Sequence, residues 1–172
     1  TVDEVMDRNL RPDGYGVIIQ PALKPATRRL MEEVEAFARR GFKIAAPCLS
    51  PTLCPMIADK GMWCHQDREW ERPPLLREID LRAGLRKESL KYSYLVMTRE
   101  GPTLGDCHPG AVRIVSNPHN EKGRIWATVC PHGGVSLQRL QVLKRNIVEG
   151  HAPSEELQRG NVLLPSAAGS NS

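Results

Sequence analysis

Cys48, Cys54, Cys64 and Cys130 are the residues of this chain whose type and placement best suit chemistry. The first three lie in a proline-broken segment running from Pro47-Cys48 through Cys54-Pro55 to Trp63-Cys64-His65. The fourth opens another Cys-Pro step 66 residues past Cys64. Four thiolates suit tetrahedral zinc or a [4Fe–4S] cluster. Zinc ribbons usually draw their ligands from close C-x₂-C knuckles, which do not occur here, so the wide, irregular spacing favours the cluster. A single cysteine most often packs as a small hydrophobe, and cysteines of secreted proteins pair as disulfides. Four flanked by proline or tryptophan read instead as one shared centre. His65 and His132 are the substitute ligands, and Cys107, in Gly105-Asp106-Cys107-His108-Pro109, reads as an exposed loop thiol outside the set.

The elements that must position these thiols begin with a strand over Gly16–Gln20 and a helix over Thr27–Arg40, where Leu30, Met31, Val34, Phe37 and Ala38 recur at helical spacing before Gly41. A second apolar run, Phe42–Ala46, leads straight into Pro47-Cys48. Strand, helix and strand within about thirty residues match a βαβ crossover and predict a parallel sheet. Cys48 then sits at the carboxyl end of a strand, where α/β folds place ligands. The charged stretch Asp67–Arg86 predicts a helix after Pro73-Pro74, and Lys91–Thr98 alternates as a strand does. Ala111–Ser116, Arg124–Cys130 and Val135–Leu143 predict three antiparallel strands of a small meander, joined by Asn117–Gly123 and Pro131–Gly134. Cys130 can join the other cysteines only if this meander folds back over the proline loop. A short helix is expected over Ser154–Gln158, followed by a flexible tail over Ser166–Ser172, and there are no internal repeats.

With 172 residues, 40% of them hydrophobic, the chain can bury a real core, and the reading is of a soluble protein. No apolar run is long enough for a membrane span, and the acidic start resembles neither a signal peptide nor an Arg-rich transit peptide. A net charge of +4 mildly favours a polyanionic partner, with basic residues at Arg28-Arg29, Arg39-Arg40, Arg82–Lys87 and Lys144-Arg145. Glu32, Glu33 and Glu35 interleave with them, as on an ordinary solvated surface.

Read in order, Ala46-Pro47-Cys48, Cys54-Pro55, Trp63-Cys64-His65 with Arg68 and Arg72, and Lys91-Tyr92-Ser93-Tyr94-Leu95 carry a likeness. Ala111-Val112-Arg113-Ile114, Lys122-Gly123-Arg124, Val129-Cys130 and Leu143-Lys144-Arg145 extend it, so that it covers roughly residues 14–160. In these segments the chain resembles the methyltransferase-like family of mitochondrial small-ribosomal-subunit assembly proteins. The resemblance implies a partial class I, Rossmann-like methyltransferase sheet carrying a four-cysteine insertion and a C-terminal antiparallel β-meander. It places Cys48, Cys54, Cys64 and Cys130 at the ligand positions of a [4Fe–4S] cluster and implies a mitochondrial-matrix, ribosome-associated location. The corresponding divisions are an α/β segment over 1–46, the cysteine-rich insertion over 47–90, the β segment over 91–150 and a short helix with tail over 151–172.

The chain departs from that family where the methyl donor would bind. No strand is followed by a glycine-rich G-x-G-x-G turn, and Gln20-Pro21-Ala22-Leu23 stands where an acidic residue, Pro, Gly and Thr are usual. S-adenosylmethionine binding by this chain alone is therefore not expected. A non-catalytic ribosomal component or assembly factor is favoured over half of a split methyltransferase and over a zinc-stabilised nucleic-acid-binding module. The partners expected are small-subunit rRNA, ribosomal proteins and another chain covering the open sheet edge, with no membrane contact. Phosphate contacts are expected at Arg68, Arg72, Arg82, Arg86, Lys87, Lys144 and Arg145. Trp63, Trp70, Tyr92 and Tyr94 read as core rather than base-stacking platforms.

Overall fold

The computed structural model describes residues 2–50, 54–85, 89–146 and 157–164. It is an α/β structure built on two antiparallel sheets. Helix α1 (Val2–Asn9), which has no counterpart among the expected elements, is tied down by Asp7, which pairs with Arg40 and, at 2.7 Å, with Arg99. Strand β1 (Gly16–Pro21) leads into helix α2 (Lys24–Arg39), which begins with Pro25 in its first turn, where no intrahelical amide partner is needed. Thr27, Met31, Val34 and Phe37 make its buried stripe, and Gly41 ends it at φ +80°. Strand β2 (Lys43–Ala46) follows.

The predicted parallel pairing of β1 with β2 is corrected by what lies between them. Strand β3 (Gln66–Glu69), helix α3 (Pro74–Arg82) and strand β4 (Ser89–Thr98) come next in the chain, and β4 inserts between the first two, antiparallel to both. β1 and β2 thus run parallel to each other but do not touch, a split βαβ arrangement. The strand–helix–strand pattern fixes their direction; it does not fix their neighbours. The charged stretch turns helical at Pro74, as expected after Pro73-Pro74, and its first residues add an unforeseen strand, β3, paired with the first half of β4.

Helix α2 covers one face of this sheet, where Val34, Phe37, Phe42, Ile44, Leu95 and Met97 form a core. The other face of β1 is bare, with Val17 54% and Ile19 67% exposed.

A four-residue helix α4 (Leu104–Cys107), closed by a reciprocal Thr103–Asp106 capping box, leads to the second sheet. Its strands are β5 (Val112–Ile114), β6 (His119–Glu121), β7 (Arg124–Pro131), β8 (Gln138–Leu143) and β9 (Val162–Leu163). The expected meander is present as β5, β7 and β8. The segment read as a plain connection contains β6, which pairs with the start of β7, and β9 adds to β5. Ile114, Ile125, Ala127, Val129 and Leu157 fill the core of this sheet. Gly160 stands at φ +93° with no room for a Cβ beside Gln66, so the 157–164 segment can close tightly on β3. The expected tail over 166–172, and all of the expected 154–158 helix but its last two residues, lie outside the described residues; 157 and 158 form a turn. Among the described residues no helix is long and apolar enough to cross a membrane.

Candidate functional site

The two sheets meet at the cysteines. Cys48 follows β2, Cys54 precedes the 3₁₀ turn Pro55–Ala58, Cys64 lies two residues before β3, and Cys130 sits near the end of β7. All four line one small cavity together with Arg113, Met56 and Val115. A third apolar cluster, centred on Met31, Met56 and Val115, packs against Cys54, Cys64 and Cys130. The meander thus folds back over the proline loop, as the spacing requires if the thiols are to share a centre. Among the described residues, no group of three or more His, Cys, Asp or Glu is arranged so that it could hold a metal ion.

Arg113 was not among the candidates, yet it organises the cavity. It faces Cys130 across the β5–β7 pair, is 4% exposed, and donates from a terminal guanidinium nitrogen to Cys64 Sγ at 2.8 Å. Among the described residues no carboxylate pairs with it. Burial works against its charge, but Cys64, through charge and hydrogen bond, and then Cys48 outweigh this and raise its pKa above the ordinary arginine value. A buried cation is costly unless it is paired, and among the described residues the acceptor for its side chain is the Cys64 sulfur. The signal in the sequence was an arginine inside the strand run Ala111–Ile114, where both neighbours are apolar.

Cys48, Cys54 and Cys130 resist ionisation. Burial pushes Cys48 well above the ordinary thiol range, with Cys64 and Cys54 adding to it. Cys54 is pushed up to about 11, again chiefly by burial, although a hydrogen bond with the Met56 backbone opposes this. Cys130 is raised by burial and then by Cys64. A metal centre would reverse this preference by binding the thiolates, releasing their protons on loading. Four soft sulfurs, an apolar shell and an unneutralised arginine fit an anionic metal–thiolate group.

Of the substitute ligands, His65 stacks on Trp63 at 5.4 Å between ring centroids, accompanies Cys48, Cys54 and Cys64 in a neighbouring cavity, and has its pKa lowered by burial and then by Arg159. His132 lies on the far side of Cys48, beside Gly105 of α4. Cys107 is exposed, as expected for a thiol outside the set. Arg28, counted in the sequence with the surface basic pairs, instead clamps the loop between Cys54 and Cys64. Its guanidinium donates to the carbonyls of Ile57, Asp59 and Met62 at 2.8–2.9 Å.

The residues expected to contact phosphate are dispersed. Arg68 is exposed on β3, beside a wide polar groove that Trp70 also lines. Arg72 is half-buried in an ion pair with Asp80 at 2.9 Å, and Arg82 pairs with Glu78 one turn earlier on α3. Lys144 and Arg145 are exposed in the 3₁₀ turn after β8, while Arg86 and Lys87 lie outside the described residues. Trp63 is half-buried in the third cluster, and Tyr92 and Tyr94 pack on each other at 5.9 Å.

No curated protein matches the chain. A family model, mitochondrial small ribosomal subunit Rsm22, matches residues 3–162, and with the likeness spanning nearly all of its length the chain belongs to that family, which assigns it to the small subunit of the mitochondrial ribosome, in the matrix.

Proposed function

We propose that this chain is a non-catalytic, RNA-binding component or assembly factor of the mitochondrial small subunit, in which Cys48, Cys54, Cys64 and Cys130 hold a [4Fe–4S] cluster. The observation that carries the reading is the convergence of all four thiols, drawn from both sheets, on one cavity beside the buried Arg113. A cubane cluster with four thiolates is anionic, which suits four thiols gathered beside a buried guanidinium. Its role here is structural: it joins the proline loop to the second sheet.

The split βαβ arrangement is compatible with one side of a mixed, methyltransferase-like sheet. Gln20–Leu23, from the end of β1 to the start of α2, contains no glycine, which supports a non-catalytic role. The bare face carrying Val17 and Ile19 supports docking of another chain.

Anaerobic purification with iron, sulfide and zinc analysis tests the centre. The expected result is about four irons per chain with visible absorbance, lost in each of Cys48→Ser, Cys54→Ser, Cys64→Ser and Cys130→Ser and retained in Cys107→Ser. A colourless protein with one zinc would replace the cluster by a zinc site. Co-sedimentation with small ribosomal subunits tests the assignment to the particle. Stoichiometric binding of S-adenosylmethionine would overturn the non-catalytic reading.

A further inference from the structure

The exposed face of the second sheet carries a column of three planar groups. His119 on β6 is the direct cross-strand partner of Trp126 on β7, and their rings stack with centroids 3.9 Å apart and planes 11° from parallel. From β8 on the other edge, the Arg139 guanidinium carbon lies 3.7 Å from the centroid of the same indole. Two planar groups cannot share one face of a ring at that spacing, so the indole is sandwiched between imidazole and guanidinium. The indole N–H donates to Glu121 at 2.7 Å, which fixes the rotation of the ring. His119 and Arg139 are exposed, so the outer surface of the column is open at both ends.

Charge singles out the same element. Residues 117–146 contain five Lys and Arg, at 122, 124, 139, 144 and 145, against one acid, Glu121. Their net charge of +4 equals that of the whole chain, 24 basic against 20 acidic residues, so the remainder is neutral on balance. The fold gathers these charges: the Lys144 amide donates to the Gly123 carbonyl at 2.9 Å, bringing the turn after β8 against the β6–β7 turn. Arg124 is occupied by Glu121 at 2.6 Å, whereas Lys122, Lys144 and Arg145 are exposed and beside that turn.

We propose that this face is a landing site for single-stranded RNA, in which an unpaired base extends the His119–Trp126–Arg139 column by stacking on Arg139, and Lys122, Lys144 and Arg145 take the flanking phosphates. Unpaired bases stack readily on guanidinium planes, and a guanidinium lying on the face of a strand-borne aromatic is a sequence-tolerant platform. Cross-strand packing alone explains the His119–Trp126 pair. It does not explain why the surplus positive charge of the chain is collected around it. The inference rests on the RNA-binding part of the proposed function and assigns it to a surface separate from the cysteine site.

The test is fluorescence anisotropy of the full chain with a labelled short oligoadenylate RNA and with an abasic phosphodiester of equal length. The base-bearing strand is expected to bind more tightly. Arg139→Lys, which keeps the charge and removes the plane, is expected to weaken RNA binding about tenfold while leaving the salt dependence and the circular dichroism unchanged. Lys144→Ala with Arg145→Ala is expected to make the slope of log K against log salt shallower by about 1.4. Equal affinity for the abasic strand, or wild-type binding by Arg139→Lys, overturns the stacking site. An acidic peptide that binds more tightly than the RNA, with the same dependence on Arg139, reassigns the surface to a protein partner. A wild-type chain that sediments with small subunits but ignores the oligonucleotide overturns this site and leaves the proposed function standing; failure of both overturns both.

Discussion

Arg113 donates from its buried guanidinium to Cys64 Sγ at 2.8 Å, so among the described residues its hydrogen-bond partner in the cavity is sulfur rather than a carboxylate. Removing one partner of a buried charged pair leaves the other uncompensated, at a cost of about 3–5 kcal/mol. Arg113→Met is therefore expected to lower stability by that order and to lose most of the bound metal. Arg113→Lys should retain more of both, and iron analysis beside a thermal melt reads the difference.

Arg28 holds three carbonyls of the loop between Cys54 and Cys64 with one side chain. Hydrogen bonds to charged groups contribute about 1.5–3 kcal/mol net. Arg28→Ala is expected to cost at least one such bond in urea unfolding and to open residues 55–62 to limited proteolysis. Arg29→Ala, its neighbour in the sequence, should do neither.

Removal of the proposed metal centre should be felt throughout the junction of the sheets. Structural zinc sites supply about 10–16 kcal/mol of apparent binding free energy, and a four-thiolate cluster acts in the same way. Chelation under reducing conditions is expected to lower the melting temperature sharply and to release protons. A melt that is unchanged after complete iron loss would refute a structural role.

Thiol alkylation of the metal-free chain separates the fifth cysteine from the other four. Cys107 is exposed and should react first at neutral pH. Burial raises the pKa of Cys48, Cys54 and Cys130, and Cys54 reaches about 11, so little of its thiolate exists near neutrality. Its labelling, followed by mass spectrometry, is expected to speed up only as the pH approaches that value.

Glu121 accepts from the indole of Trp126 and then from Arg124, and these bonds hold its carboxyl below the ordinary glutamate range. A depressed folded pKa means that the contribution to stability is fully present above the unfolded value and disappears as pH falls through the folded one. The indole N–H resonance of Trp126 is expected to stay constant from neutrality through the ordinary carboxylate range and to move only below it. Glu121→Gln, which keeps an acceptor without the charge, should abolish that acid transition.

The strands and helix before the first cysteine were legible because their apolar residues repeat at the period of the element they form. The position of β4 was not, since periodicity carries no information about which strand lies beside which. β3 was hidden by composition: Gln66-Asp67-Arg68-Glu69 has no apolar alternation and is held as strand by its ladder with β4. The four cysteines were visible by residue type alone. Arg113 was not, because its importance depends on the β5–β7 register that sets it opposite Cys130. Arg28 was misread with the surface charges, since a guanidinium that binds carbonyls looks the same in a sequence as one that awaits a phosphate. The stack on Trp126 likewise draws on three separate strands.

A chain read out from its N-terminus exposes three of the four thiols long before the last. Cys130 follows Cys64 by 66 residues, which at synthesis rates of about 5–20 residues per second is a delay of roughly 3–13 s. During that interval the proline loop offers an incomplete set of donors, and Arg113 itself is made only 49 residues after Cys64. A centre held by all four thiols, as proposed, would therefore act as a completion mark: it could close only on a molecule whose second sheet has been made and has found the first.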